Sequence, residues 1–196
     1  MNKLKINQHE VTGLVGKICR ELAIGSWRPD YIVGITRGGL VPAVMISQYF
    51  NIPLHTLNVS LRDGDVGPES NLWMAEDALG PNSRERIVED SDNIGGILEA
   101  ASSLLENGGT YKNILIVDDI NDQGTTLNWI MKDWPSGCFP DDPSWGEVWN
   151  NNVKFAVLVD NLASQCEVKM DYVGMEVNKA EKDIWIDFPW EDWWTK

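Results

Sequence analysis

The sequence predicts an α/β fold: a single doubly wound domain around a mainly parallel five-stranded sheet, with a strand order of about 2-1-3-4-5. Three observations carry this. Apolar runs of strand length, such as YIVGI (31–35), ILIV (114–117) and VKFAVLVD (153–160), alternate with segments of helical periodicity. Their nearly continuous apolar character is that of strands covered on both faces. The chain has 196 residues, 43% of them hydrophobic, which is enough for one sizeable core and leaves no need for a second.

The elements follow in order. Residues 8–24 place Val11, Leu14, Val15, Ile18 and Leu22 at helical spacing, the mark of an amphipathic helix. YIVGI is the first strand; TRGG and then LVPAVMISQYF (40–50), a second helix, follow it. PLHTLNV (53–59) reads as the next strand. Residues 62–92 are polar and rich in Gly, Pro, Asn and Asp, and a stretch of that length reads as a functional lid or a disordered excursion. Helix is expected again over 94–107. ILIV forms the third strand, and Leu127, Ile130 and Met131 begin a helix over 126–134. Residues 135–152 form a Pro- and Trp-bearing insertion, which could cover the sheet edge, build an oligomer contact or border a ligand. VKFAVLVD and DYVGMEV (171–177) are the last strands before an aromatic tail.

Composition narrows the function. The net charge of −14 argues against a duplex nucleic-acid partner, because a phosphate backbone needs a basic face. A local cationic group can still hold a small phosphorylated molecule. The three scattered cysteines suggest neither a disulfide framework nor a zinc site, and a reducing cytoplasm fits best. No signal sequence or membrane span is expected. Four of the ten tryptophans (Trp185, Trp190, Trp193 and Trp194) crowd the C-terminal end. They either pack against the domain or supply a stacking platform. His9 and His55 lie in no motif, so imidazole catalysis is not expected.

In a sheet of this order the crevice lies at the carboxyl ends of the first and third strands. Those ends carry TRGG and DDINDQGTT, so the two most unusual loops face one cleft. DQGTT enters a helix, where unpaired N–H groups and the helix dipole favour an anion such as a phosphate monoester. Alone it would read better as a Thr-capped helix. Asp118 and Asp119 change that reading, because paired carboxylates beside a phosphate loop suit sugar hydroxyls or hydrated Mg²⁺. Arg37 can clamp a second phosphate, with Gly38 and Gly39 allowing close backbone approach. A sugar phosphorylated at both ends, with Mg²⁺, would satisfy all three features.

VDDINDQGTT resembles the phosphoribosyl pyrophosphate (PRPP) signature of the type I phosphoribosyltransferases, and GITRGGLVPA their pyrophosphate loop. WIDFPWE (185–191) is similar to the base-binding segment of the 6-oxopurine members, particularly the xanthine-guanine enzymes. The resemblance implies transfer of ribose 5-phosphate from PRPP to a purine-like base with release of pyrophosphate. It implies that Asp118 and Asp119 hold the ribose hydroxyls and position Mg²⁺, and that Asp122 is the general base. Asp122, Gln123, Gly124, Thr125 and Thr126 would cradle the 5′-phosphate, and Arg37 and Gly38 the pyrophosphate. Trp185 would stack on the base and the Ile186 backbone would read its edge, within a C-terminal hood over 178–196. The lid over 62–92 would close on the reacting centre, and a homo-oligomer, dimer or tetramer, is expected.

Two positions depart from the pattern. Gln123 stands where a small Thr is usual. The 6-oxopurine enzymes commonly place a Lys at the end of the strand after the PRPP helix, and here Asp160 or Asn161 stands near it. Asn161 is taken as the base-side residue. Lys179 is a possible substitute, against the ordinary reading of a solvated lysine. These departures lend some weight to an alternative, a PRPP-binding regulatory protein without turnover, whereas Asp122 and WIDFPWE favour an enzyme. The absence of a G-x-G-x-x-G after the first strand excludes a dinucleotide enzyme, and no kinase-type phosphate loop is present.

Overall fold

The computed structural model describes residues 2–59, 71–80, 111–149, 151–191 and 193–195. Five parallel strands form the main sheet: β2 (Tyr31–Thr36), β3 (Leu54–Asn58), β4 (Ile114–Asn121), β5 (Val153–Asn161) and β6 (Tyr172–Val177). They lie in the order β3-β2-β4-β5-β6, which is the expected 2-1-3-4-5 arrangement. A second, two-stranded sheet pairs β1 (Asn2–Lys5) with β7 (Ile184–Asp187) in parallel. The sequence reading did not anticipate β1 or β7: the four residues NKLK alternate too briefly to be distinguished from a solvated end, and IWID lies in what reads as an aromatic tail beyond the last strand.

Alternation along the strands sends side chains to two cores. Ile32, Leu115, Val117, Ala156 and Leu158 face α1 (Gln8–Ile24) and α2 (Leu40–Phe50). Val33, Ile35, Ile114, Ile116, Phe155 and Val157 face the other way, toward α3 (Leu72–Leu79), α4 (Thr125–Gly137) and α5 (Trp145–Val148). Helix α1 opens on a capping box in which Asn7 and Glu10 satisfy each other's backbone N–H groups, at 3.0 and 2.7 Å. It buries Val11, Val15, Ile18, Cys19 and Leu22, close to the expected stripe. Among the described residues no helix is long and apolar enough to cross a membrane.

Three expectations need adjustment. The stretch 62–92 is not wholly irregular, since α3 lies within it and buries Met74, Ala75, Ala78 and Leu79. The rest of that stretch, and the helix expected over 94–107, lie outside the described residues. Strand β4 runs four residues beyond ILIV. Its pairing with β2 ends at Val117, but β5 continues alongside it as far as Asn121. Helix α4 likewise continues through Pro135, which the pattern had assigned to the insertion.

The insertion itself is structural. Trp145 stacks on Trp149 with ring centroids 5.5 Å apart, and Trp149 lies 5.8 Å from the fully buried Trp134 and 6.3 Å from Phe155. The Trp145 indole N–H donates to the carbonyls of Cys138 and Phe139, at 3.0 and 3.1 Å. These aromatics extend one core along β5, with each large ring adding buried apolar area.

Candidate active site

The lengthening of β4 explains its two aspartates. Through Val117 the strand has neighbours on both sides and buried side chains, which suits apolar residues. Beyond that point it loses β2 and keeps β5, so Asp118 and Asp119 stand on a one-sided overhang at the carboxyl edge of the sheet. The loop leaving β2 crosses this overhang. A Cβ on Gly38 would fall inside the Asp119 carboxylate, so any side chain here would displace that carboxylate. The Thr36–Arg37 peptide is cis, and the Arg37 side chain is exposed. Among the described residues no hydrogen-bonding or ionic partner engages the Arg37 guanidinium.

Asp119 faces the C-terminal segment. Trp190 donates its indole N–H to the Asp119 carboxylate at 3.4 Å and stacks on Phe188 at 4.8 Å. Burial is the largest influence on Asp119 and raises its pKa, against the lowering effect of hydrogen bonds from Trp190 and the Ile120 N–H. The Glu191 carboxyl is also raised, first by burial and then by the negative charges of Asp119 and Asp187. This edge of the cleft therefore concentrates negative charge that its own hydrogen bonds only partly offset. Trp190 is one of the four C-terminal tryptophans expected to pack or to stack, and Glu191 ends WIDFPWE; both owe their place to the turn after β7.

The second loop joins β4 to α4. Gly124 has φ 81°, in the left-handed region, and a Cβ there would collide with the backbone of Gln165 and Cys166. The N-terminus of α4 has no side-chain cap, and its first helical bond runs from the Asn128 N–H to the Gly124 carbonyl at 2.9 Å. The N–H groups of Thr125 and Thr126 precede that bond, which is the geometry of an anion cradle. Gln123 is exposed, so its length extends toward solvent, while its carbonyl accepts the Gln165 N–H at 3.3 Å.

The remaining wall comes from β5, the β6–β7 connection and β7. Asp122 pairs with the Lys179 ammonium at 2.8 Å, and the Lys179 Nζ lies 5.9 Å from the Trp185 ring centroid. Trp185 is half-buried. Asn161 is buried; it donates to the Asp122 carbonyl at 2.8 Å and accepts from the N–H groups of Lys179 and Ala163 at 3.0 and 3.2 Å. Its amide is thus engaged in holding two loops together. Asp160, the other candidate at this strand end, accepts from the Asn121 amide at 2.8 Å.

Ile186 buries its side chain in the core beneath. The N–H groups of Asn2 and Ile6 donate to the carbonyls of Asp183 and Asp187, flanking the register Leu4↔Ile186. A strand in a parallel ladder bonds one neighbour through alternate residues, so the Ile186 N–H and C=O turn to the opposite edge of β7. The structure thus gathers Gly38, Asp118 and Asp119 at one end of the cleft, and Asp122, Lys179 and Trp185 at the other, with α4 beginning between them.

Comparison with known proteins gives a consistent picture. The model of the phosphoribosyl transferase domain matches residues 2–193. Xanthine phosphoribosyltransferase 1 of Saccharomyces cerevisiae is 26% identical over 137 residues; the match covers 67% of this chain and only 59% of the yeast protein. The xanthine-guanine phosphoribosyltransferase of Cereibacter sphaeroides is 27% identical over 168 residues, covering 85% of this chain and 71% of that one. In three dimensions the fold is similar to that of a purine phosphoribosyltransferase from Pyrococcus horikoshii, with a TM-score of 0.59 and 22% identity. That superposition covers 98% of this chain and 95% of the other.

Proposed function

Because the chain belongs to the phosphoribosyl transferase domain family, we propose that it transfers ribose 5-phosphate from PRPP to a purine-type base and releases pyrophosphate. One observation carries this reading. The loop after β2 lies against the aspartate pair on the β4 overhang, while the next turn of the same strand opens an uncapped helix N-terminus. A ligand bearing two separated phosphate groups and a ribose between them matches that order of features.

The roles follow from position. Arg37 and the Gly38 backbone take the pyrophosphate, and the exposed guanidinium suits a bidentate phosphate contact. Asp118 and Asp119 hold the ribose hydroxyls, and their charge favours the positive charge that develops on the sugar as pyrophosphate departs. Residues 122–126 cradle the 5′-phosphate at the start of α4. Trp185 stacks on the base, and the outward peptide groups of Ile186 read its edge. Asp122 accepts the proton released by the incoming base. Trp190, hydrogen-bonded across to Asp119, covers the ribose end and limits the access of water.

Mg²⁺ fits this donor set. The described residues contain no group of three or more His, Cys, Asp or Glu side chains arranged to cage a metal. Mg²⁺ keeps several waters and uses one or two carboxylates together with substrate phosphates, which is what Asp118 and Asp119 offer. The raised pKa of Asp119 marks a buried carboxyl that a cation would stabilise in its charged form. When bound, the ion would offset charge on the departing pyrophosphate.

The test is pyrophosphate release from Mg–PRPP across a panel of purine and pyrimidine bases, with Asp122→Asn as control. The expected result is base-dependent release that falls by about 10²–10⁴-fold in the variant, the usual range for a positioned general base. PRPP binding by calorimetry without release for any base would overturn the transferase reading.

A further inference from the structure

The connection from β5 to β6 holds the loop 122–126 at both of its ends. Ahead of the loop, the Ser164 hydroxyl donates to the Asn121 side chain at 2.8 Å and accepts the Cys166 N–H at 3.2 Å. Within it, the Gln123 carbonyl accepts the Gln165 N–H at 3.3 Å. Beyond it, the Asn128 side-chain amide donates to the Gln165 carbonyl at 2.9 Å and accepts the Glu167 N–H at 2.8 Å. Between these ties Gly124, in the left-handed region, lies directly on the backbone of Gln165 and Cys166. Asn128 also closes the first helical bond of α4, from its own N–H to the Gly124 carbonyl. One residue therefore fixes both the start of the helix and the segment packed against it. The N–H groups of Thr125 and Thr126 take no part in these ties.

We propose that Asn128 and Ser164 are positioning residues for the 5′-phosphate, holding the loop 122–126 in its anion-binding shape before a ligand arrives. The inference rests on the transferase reading above, which gives the 5′-phosphate to this loop. Backbone N–H groups bind an anion well only where they converge, and a glycine in the loop has more conformations to lose than any other residue. A loop that had to order on binding would subtract that cost from ligand affinity. Here side chains from α4 and from the β5–β6 connection order it beforehand. Asn suits the task because its amide carries a donor and an acceptor, and so meets a carbonyl and an N–H two residues apart on the facing segment. The Lys132–Glu167 pair, at 3.3 Å and one turn further along α4, lies largely in solvent and adds little. None of these ties reaches the Arg37 loop, so the two phosphate sites should respond separately.

Ribose 5-phosphate and pyrophosphate distinguish the two sites, because each carries only one of the phosphate groups of PRPP. Their dissociation constants are measured by calorimetry, with Mg²⁺ present, for the full chain and for Asn128→Ala, Ser164→Ala and Ser164→Thr. Asn128→Ala is expected to weaken ribose 5-phosphate about tenfold, the scale of two neutral hydrogen bonds, and to leave pyrophosphate within about twofold. Retained pyrophosphate binding also shows that the variant is folded. Ser164→Ala should weaken ribose 5-phosphate about threefold, and Ser164→Thr, which keeps the hydroxyl, should restore it. In steady state the KM for PRPP should rise in step while kcat changes little, the pattern of lost ground-state binding. Ribose 5-phosphate affinity unchanged in Asn128→Ala, or an equal loss of both probes, would overturn the proposal and leave the transferase reading standing. Failure of the unaltered chain to bind either probe would overturn both.

Discussion

Asp118 and Asp119 illustrate how much one residue's meaning depends on what its strand has lost. Both continue a strand, but only after β2 has stopped pairing with it, and the change from apolar to acidic falls at that step. That transition was legible because a buried apolar run ending in two carboxylates has few structural explanations. Lys179 was harder to read. Nothing near it in sequence separates a site lysine from a solvated one; its placement depends on an Asn eighteen positions earlier, through a bond that only the folded sheet brings into range. Cys19 shows the opposite case, a residue whose surroundings make it inert. Burial within α1 raises its thiol pKa from 9.0 to about 11. The folded protein therefore holds this proton longer than the unfolded chain does, and the associated stability is full below pH 9 and lost as the pH rises toward 11. Urea midpoints should fall over that interval, and fall less in Cys19→Ala. A thiol reagent at about pH 8 should leave Cys19 unmodified in the native protein; rapid native-state labelling would contradict this.

Elements of strong periodicity matched the sequence closely: α1 and α2 have the bounds that their apolar spacing indicated. The differences arose where tertiary pairing decided. β4 lengthens because β5 accompanies it, α4 continues through Pro135 because a proline near a helix end costs little ladder, and α3 is a short helix made worthwhile by its buried face. The pairing of β1 with β7 is the element-scale feature closest to function. β1 holds one edge of β7, and that leaves the Ile186 peptide groups available on the other. Leu4→Pro removes a ladder donor at the centre of β1. The expected outcome is a KM for the base raised several-fold, by about 1 kcal/mol of lost ordering, with the KM for PRPP little changed. Equal increases in both constants would show that β1 supports the whole domain rather than the hood.

Across the whole molecule, the doubly wound topology brings together residues that are far apart in sequence. The loops after β2 and β4 meet because those strands are neighbours whose connections pass to opposite faces of the sheet. A ligand that binds both loops should therefore stabilise the entire sheet. Mg–PRPP at about 100 times its Kd should add about 2.7 kcal/mol of stability, worth roughly 5–10 °C in Tm for a domain of this size. In Asp118→Asn with Asp119→Asn the shift should largely vanish while the unliganded Tm stays near that of the unaltered chain. A full shift in the double variant would remove the aspartates from the PRPP site. The small sheet has a further consequence, for the order of assembly. Asn2 pairs with Ile184, so β1 can find its partner only after every strand of the main sheet has been laid down. The five-stranded sheet does not wait for that contact. The β1–β7 pair should accordingly form last and open first, its amides exchanging with solvent through excursions that leave β2, β4 and β5 intact. A base bound as proposed would then enter by local opening of this pair of strands, with the proposed phosphate-binding loops already in place.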